Sequence, residues 1–144
     1  MVIKNYGILT SVYWNSNKWQ ALSTEDDLKN SKLGDGFESG TTYTSFNFGH
    51  DVFPSDENGF YHGLLPQLWS KLIDREKFTL VEIAFIKALN WETKENLIVG
   101  LYAFPAFRPT TKSIVIDEIE KDVEVNIQAV PKNVVLVENG INLS

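Results

Sequence analysis

The chain has 144 residues, no cysteine, 43% hydrophobic and 22% charged residues, and a net charge of −6 from 13 basic and 19 acidic side chains. That describes one ordinary globular domain; it excludes disulfides, thiolate metal sites and cysteine nucleophiles, and no apolar run approaches the roughly 20 residues of a membrane helix. The charge disfavours binding by bulk attraction to phosphates, yet Asp117, Glu118, Glu120, Asp122 and Glu124 carry much of it, so a local basic patch remains open to residues 1–116.

In chain order, "YGILTSVYW" is rich in β-branched and aromatic residues and predicts a first strand. "STEDDLKNSK" has a Ser23 or Thr24 cap and acids in its first turn, so a short helix starts near 24. A glycine-punctuated loop leads to a second strand, "TTYTSFNF", then to the polar loop "GHDVFPSDENG" and a brief strand, "FYHGLL". Leu65, Leu68, Trp69, Leu72 and Ile73 recur on one helical face, with Pro66 in the first turn. "FTLVEIAFIKAL" and "LIVGLYAF" around "NWETKEN" predict a hairpin buried on both faces. "DVEVNIQAV" alternates as one half-exposed antiparallel strand, and "NVVLV" closes the chain as a short buried strand. With neither repeats nor a linker, residues 1–144 read as a single α+β domain: a curved sheet or small barrel of about six strands with two or three short helices at its side.

Chemistry-bearing motifs are sparse. His50, Asp51, Asp56, Glu57 and His62 are metal-ligand types in one short span, but no HxxxH, HxH or HxxE spacing occurs. There is no GxSxG elbow, no GxxxxGK[ST] and no GxGxxG. No catalytic residue, metal or cofactor is therefore assigned. Aromatics remain. Trp14 and Trp19 bracket the polar turn "NSNK", where at least one indole is hard to bury, although Trp14 can equally be core. Phe46 and Phe48 share one strand face, Tyr61 and His62 point to opposite faces of theirs, and Trp91 sits at a hairpin tip. Rings on strand ends beside a polar loop suit a pocket for a planar ring, where stacking on a base contributes roughly 1–3 kcal/mol.

"SFNFGHDV", "GFYHGLLPQ" and "LIVGLYAF", in that order, resemble the N-terminal DNA-recognition domains of McrB-type modification-dependent restriction proteins; the likeness spans residues 40–104. It implies an EVE/YTH-like fold of the PUA superfamily, a small curved β-barrel that flips a modified base into an aromatic cage. It also implies that the chain is an N-terminal fragment of a longer AAA+ GTPase, with GTP and Mg in the motor alone, in a ring oligomer with a nuclease subunit. Leu101 stands where relatives often carry Phe or Trp, so that position is no cage wall here.

These readings combine into one expectation: a cytoplasmic, monomeric, non-enzymatic domain that binds double-stranded DNA carrying a methylated base, with no membrane partner. The base contacts would be Trp14, Trp19, Phe46, Phe48 and Tyr61 as walls, with Asn15, Asn47 and His62 at the base edge. Lys18, Lys87, Lys94 and Arg108 would meet the DNA backbone. Its rivals are an RNA-modification reader of the same fold, a protein-interaction module, and a metal-dependent hydrolase built on His50, Asp51 and His62.

Overall fold

The computed structural model describes residues 6–30, 47–49, 54–65, 81–116 and 118–143. Its centre is the hairpin foreseen from the two apolar segments, β3 (Val81–Leu89) and β4 (Asn96–Ala103), paired antiparallel. Asn90 closes the turn: its N–H donates to the Glu95 carbonyl and its Oδ1 accepts from the Glu92 N–H, both at 2.9 Å. β1 (Tyr6–Ser11) lies parallel to β3, and β8 (Val134–Asn142) antiparallel to β4, giving the order β1-β3-β4-β8.

Period-two alternation gives this sheet its inner face. Ile8, Ala84, Tyr102 and Val134 form one cross-strand row; Thr10, Ile86, Gly100 and Leu136 form the next. The row between them, Leu9–Phe85–Leu101–Val135, faces outward, and Leu9 and Val135 are exposed. The hairpin is thus buried on one face and half-covered on the other, not buried on both.

β2 (Tyr61–Gly63) pairs with β7 (Ile127–Ala129), and β5 (Thr110–Ile116) pairs with β6 (Ile119–Val125). The stretch expected as one strand over 122–130 is therefore two. Its alternation persists, but the chain changes sheets at Asn126, which is fully buried. The Asn126 side chain accepts from Leu65 N–H at 2.8 Å and donates to the Leu65 carbonyl at 2.9 Å. Asn47 treats the peptide groups of Leu64 the same way, at 2.6 and 2.9 Å. Two carboxamides thus continue, by side chain, the hydrogen bonding that a neighbouring strand would supply.

Because the strands divide into one four-stranded and two two-stranded sheets, they do not close into the expected barrel. The described residues contain eight strands, α1 (Glu25–Asn30) and a 3-10 turn at Pro131–Asn133. The fold is mostly β. The expected helix beyond Leu65 and most of the expected strand ending at Phe48 lie outside the described residues, and no described helix is long and apolar enough to cross a membrane. The start of α1 is as the sequence predicts. Thr24 Oγ1 accepts from Asp27 N–H and Asp27 Oδ2 accepts from Thr24 N–H, both at 3.1 Å, a reciprocal cap.

Candidate binding site

After β1 the chain makes one more sheet contact, Val12 N–H to the Lys87 carbonyl at 2.9 Å, and then turns. Asn15 organises the turn: its Oδ1 accepts from Asn17 N–H at 2.8 Å and its Nδ2 donates to the Ala21 carbonyl at 2.9 Å. Lys18 and Trp19 follow with φ of +56° and +58°, a left-handed conformation that non-glycine residues seldom adopt. That reversal carries Trp19 back inward, so both Trp14 and Trp19 are buried, where the sequence predicts at least one of the two indoles at the surface. Asp27 holds the turn down. Its carboxylate accepts from Ser16 Oγ at 2.6 Å, Ser16 N–H at 2.8 Å and Trp91 Nε1 at 2.8 Å, besides its capping bond to Thr24. Burial pushes this carboxyl up, but the hydrogen bonds from Ser16, Trp91 and Thr24 outweigh it and leave it below the usual range. Trp91, at the hairpin tip, is half-buried because of that bond.

The buried rings form a column across the inner face of the sheet. Trp14 meets Trp19 edge-to-face at 5.5 Å, Trp19 meets Phe48 at 5.8 Å, and Phe48 meets Tyr102 at 6.0 Å. Such pairs contribute about 0.5–1.5 kcal/mol beyond the area they bury. The Phe48 ring lies over Gly100, where any Cβ would overlap it. Tyr102 donates its hydroxyl to the Asn47 carbonyl at 2.5 Å, and burial, with Tyr61 adding to it, raises its pKa well above the ordinary tyrosine value.

At the Trp14 end the column borders a slot of about 170 Å³ lined by Trp14, Trp19, Leu97, Val99, Asn90 and Glu95, with Val137 to Gly140 opposite. A double register shift opens it. Ile86 pairs with Gly100 but Lys87 with Ile98, so Val99 is an extra residue on β4. Across from it Gly100 pairs with Leu136 but Ile98 with Ile141, so four residues of β8 (137–140) bow out, with Gly140 at φ +69°. Bulges of this kind bend a strand and re-aim its side chains. Lys18 reaches across the mouth, Nζ to the Glu138 carbonyl at 3.3 Å. Both indole Nε1 atoms are buried without an acceptor among the described residues, whereas nearly all buried donors in proteins are satisfied.

A second concavity, a cleft of about 800 Å³, opens between the 54–60 loop and β5. His62 borders it, with Nε2 2.6 Å from Asp56 Oδ2 and a buried Nδ1 that has no partner among the described residues. Asp56 Oδ1 accepts from Asn58 N–H and Phe60 N–H, each at 2.9 Å, so this carboxylate organises its own loop. Burial opposes ionisation of Asp56, yet the bonds from His62, Phe60 and Asn58 leave its pKa lowered.

The sequence-derived candidates are thus spread over two places. Trp14, Trp19 and Lys18 line the slot; Phe48 is one ring deeper in the column; His62 and Arg108 line the cleft. Tyr61 is wholly buried, with its hydroxyl raised in pKa by burial, against the Gly49 backbone hydrogen bond. The Asn15 and Asn47 carboxamides are engaged at both ends by backbone groups. Lys94 is exposed on the hairpin tip and Lys87 half-buried in β3. Phe46, His50 and Asp51 lie outside the described residues, and no group of three potential metal ligands occurs among the described ones. Sequence reasoning missed Leu97, Val99 and the 137–140 wall, although "VENG" inside an apolar strand is a turn signal that marks the bulge. Comparison with protein-family models, with curated proteins and with solved structures found no match to this chain.

Proposed function

We propose that this chain is a recognition domain that reads a methylated base in DNA, taking the base out of the duplex into the slot beside Trp14 and Trp19, as the specificity module of a McrBC-like modification-dependent restriction system. The observation that carries the reading is the concentration of unfavourable features at one place. Two consecutive non-glycine residues with positive φ cost about 1–3 kcal/mol each, and two buried indole N–H groups without acceptors among the described residues cost about 1–3 kcal/mol each. Such costs gather at functional sites, and here they gather around a cavity with a cation, Lys18, at its mouth. A planar ligand with acceptor atoms on its edge would satisfy the indoles, while the Glu95 carboxylate offers an acceptor for an exocyclic amine. The volume lies well below the roughly 300–1,000 Å³ of sites for drug-sized ligands, so it suits one small ring system entering with some widening.

The resemblance of residues 40–104 to McrB-type domains supports DNA over RNA as the ligand. No chemistry on this chain is required. The test is a binding panel of duplexes that differ in a single methyl group, with matched RNA as competitor. A preference of several-fold for one methylated duplex supports the reading, and equal binding across the panel refutes it.

A further inference from the structure

The cleft between the 54–60 loop and β5 has a different chemistry from the slot. Lys112 is half-buried there, its ammonium donating to the Pro54 carbonyl at 2.5 Å and standing 5.3 Å from the centre of the Tyr61 ring. Arg108 is exposed at the same cleft. Among the described residues neither cation has a carboxylate at ion-pair distance. Two acids line the cleft: Asp56 is committed to His62 and to the backbone of its own loop, and Glu57 is exposed on that loop with no ion pair among the described residues. On β6, Glu120, Asp122 and Glu124 pair with Val115, Ser113 and Thr111 and so share the hairpin face opposite Lys112; Asp122 Oδ1 accepts from Ser113 Oγ at 2.6 Å, and none of the three acids lines the cleft itself. Thr110 leaves β5 on the Lys112 face and Thr111 on the other, yet both border the cleft. Burial holds the Lys112 ammonium below the usual lysine range, against the pull of the Asp56 charge.

A half-buried ammonium, a guanidinium with no carboxylate partner among the described residues and the threonine hydroxyls of β5 around one open cavity are the groups that recognise a phosphate, the ammonium as a point charge and the guanidinium as a fork of donors. We propose that this cleft is a second site, independent of the base slot, that binds a phosphate group through Lys112, Arg108 and the Thr110 hydroxyl. The phosphate can belong to a nucleic-acid backbone or to a free phosphate or mononucleotide, and the test separates these sources.

Inorganic phosphate, a nucleoside 5′-monophosphate and a short unmodified oligonucleotide are titrated separately into the intact chain, followed by NMR shifts, with chloride at matched ionic strength as control. The variants are Arg108→Gln, Thr110→Val and Lys112→Met, the last keeping an unbranched stem over the Tyr61 ring. Saturable phosphate binding that weakens about tenfold in Arg108→Gln, at unchanged melting temperature, is the expected result. A parallel loss for the oligonucleotide assigns the phosphate to a nucleic-acid backbone; oligonucleotide binding that is unchanged while phosphate or mononucleotide binding falls assigns it to a free ligand. Absence of saturable binding by all three probes, shifts reproduced by chloride, or an Arg108→Gln variant that binds like the parent overturns the proposal. Arg108 is exposed and makes no ion pair among the described residues, so this variant decides the matter even if Lys112→Met fails to fold.

Discussion

Trp19 shows how a single residue's position follows from its neighbours rather than from its own hydrophobicity. The polar turn between Trp14 and Trp19 predicts that at least one of the two indoles stays at the surface, yet Asn15 folds the turn and positive φ at Lys18 and Trp19 turns the Trp19 indole into the core. Replacing either slot tryptophan by phenylalanine keeps a ring and removes the orphan donor. Trp14→Phe and Trp19→Phe should each cost about 1–3 kcal/mol of stability for the ring volume lost, leaving the domain folded, while affinity for the preferred methylated duplex falls about five- to tenfold, the worth of one hydrogen bond. Urea unfolding and fluorescence-anisotropy titration on the same samples check both halves. Asp27 carries the complementary prediction. Its folded pKa is depressed, so its contribution is fully present above the unfolded value of about 3.9 and is lost as pH falls through the lower, folded value. Asp27→Asn weakens the acceptors for Ser16, Thr24 and Trp91 and should cost about 1–3 kcal/mol at neutral pH. The gap between variant and parent in unfolding free energy should narrow only below pH ~4; a gap that is constant down to pH 2 would mean the charge is not what matters.

At the level of elements, most of what was legible in the sequence was periodic. The β3–β4 hairpin follows from two apolar runs around an asparagine-led turn, and α1 starts where its capping residues put it. Pairings across long sequence gaps were not legible. Nothing in "DVEVNIQAV" breaks its alternation, so the change of sheet at Asn126 emerges only once Leu65 is beside it. The same holds for Asn47, whose side chain looks like a base reader in sequence and binds Leu64 in the fold. Asn126→Ala, which leaves the Leu65 N–H and carbonyl without their partner, should destabilise by about 2–4 kcal/mol in urea unfolding. The slot depends on β4 as much as on the tryptophans. Gly100 admits the Phe48 ring and the Val135 carbonyl against its backbone, and Gly100→Ala should cost about 1–3 kcal/mol through overpacking. An unchanged melting curve for Gly100→Ala would show that Phe48 does not sit as described.

For the whole molecule, the aromatic column gives the two cavities a common scaffold. The slot adjoins Trp14 and Trp19, the column passes through Phe48 to Tyr102, and Tyr61 at the cleft side carries Lys112 over its ring. With few cations and a net charge of −6, binding to DNA should involve only about 3–5 phosphate contacts and a log–log salt slope of about −3 to −4. A slope near −8 would mean that the charge distribution has been misread. The central claim is that the slot beside Trp14 and Trp19 selects a methylated base. The measurement that tests it most directly is equilibrium binding of the parent chain and the two tryptophan-to-phenylalanine variants to duplexes identical except for one methyl group. The parent should show a several-fold preference that shrinks in both variants while their folding is retained. Equal affinity for methylated and plain duplexes, or a preference that both variants keep in full, would contradict it.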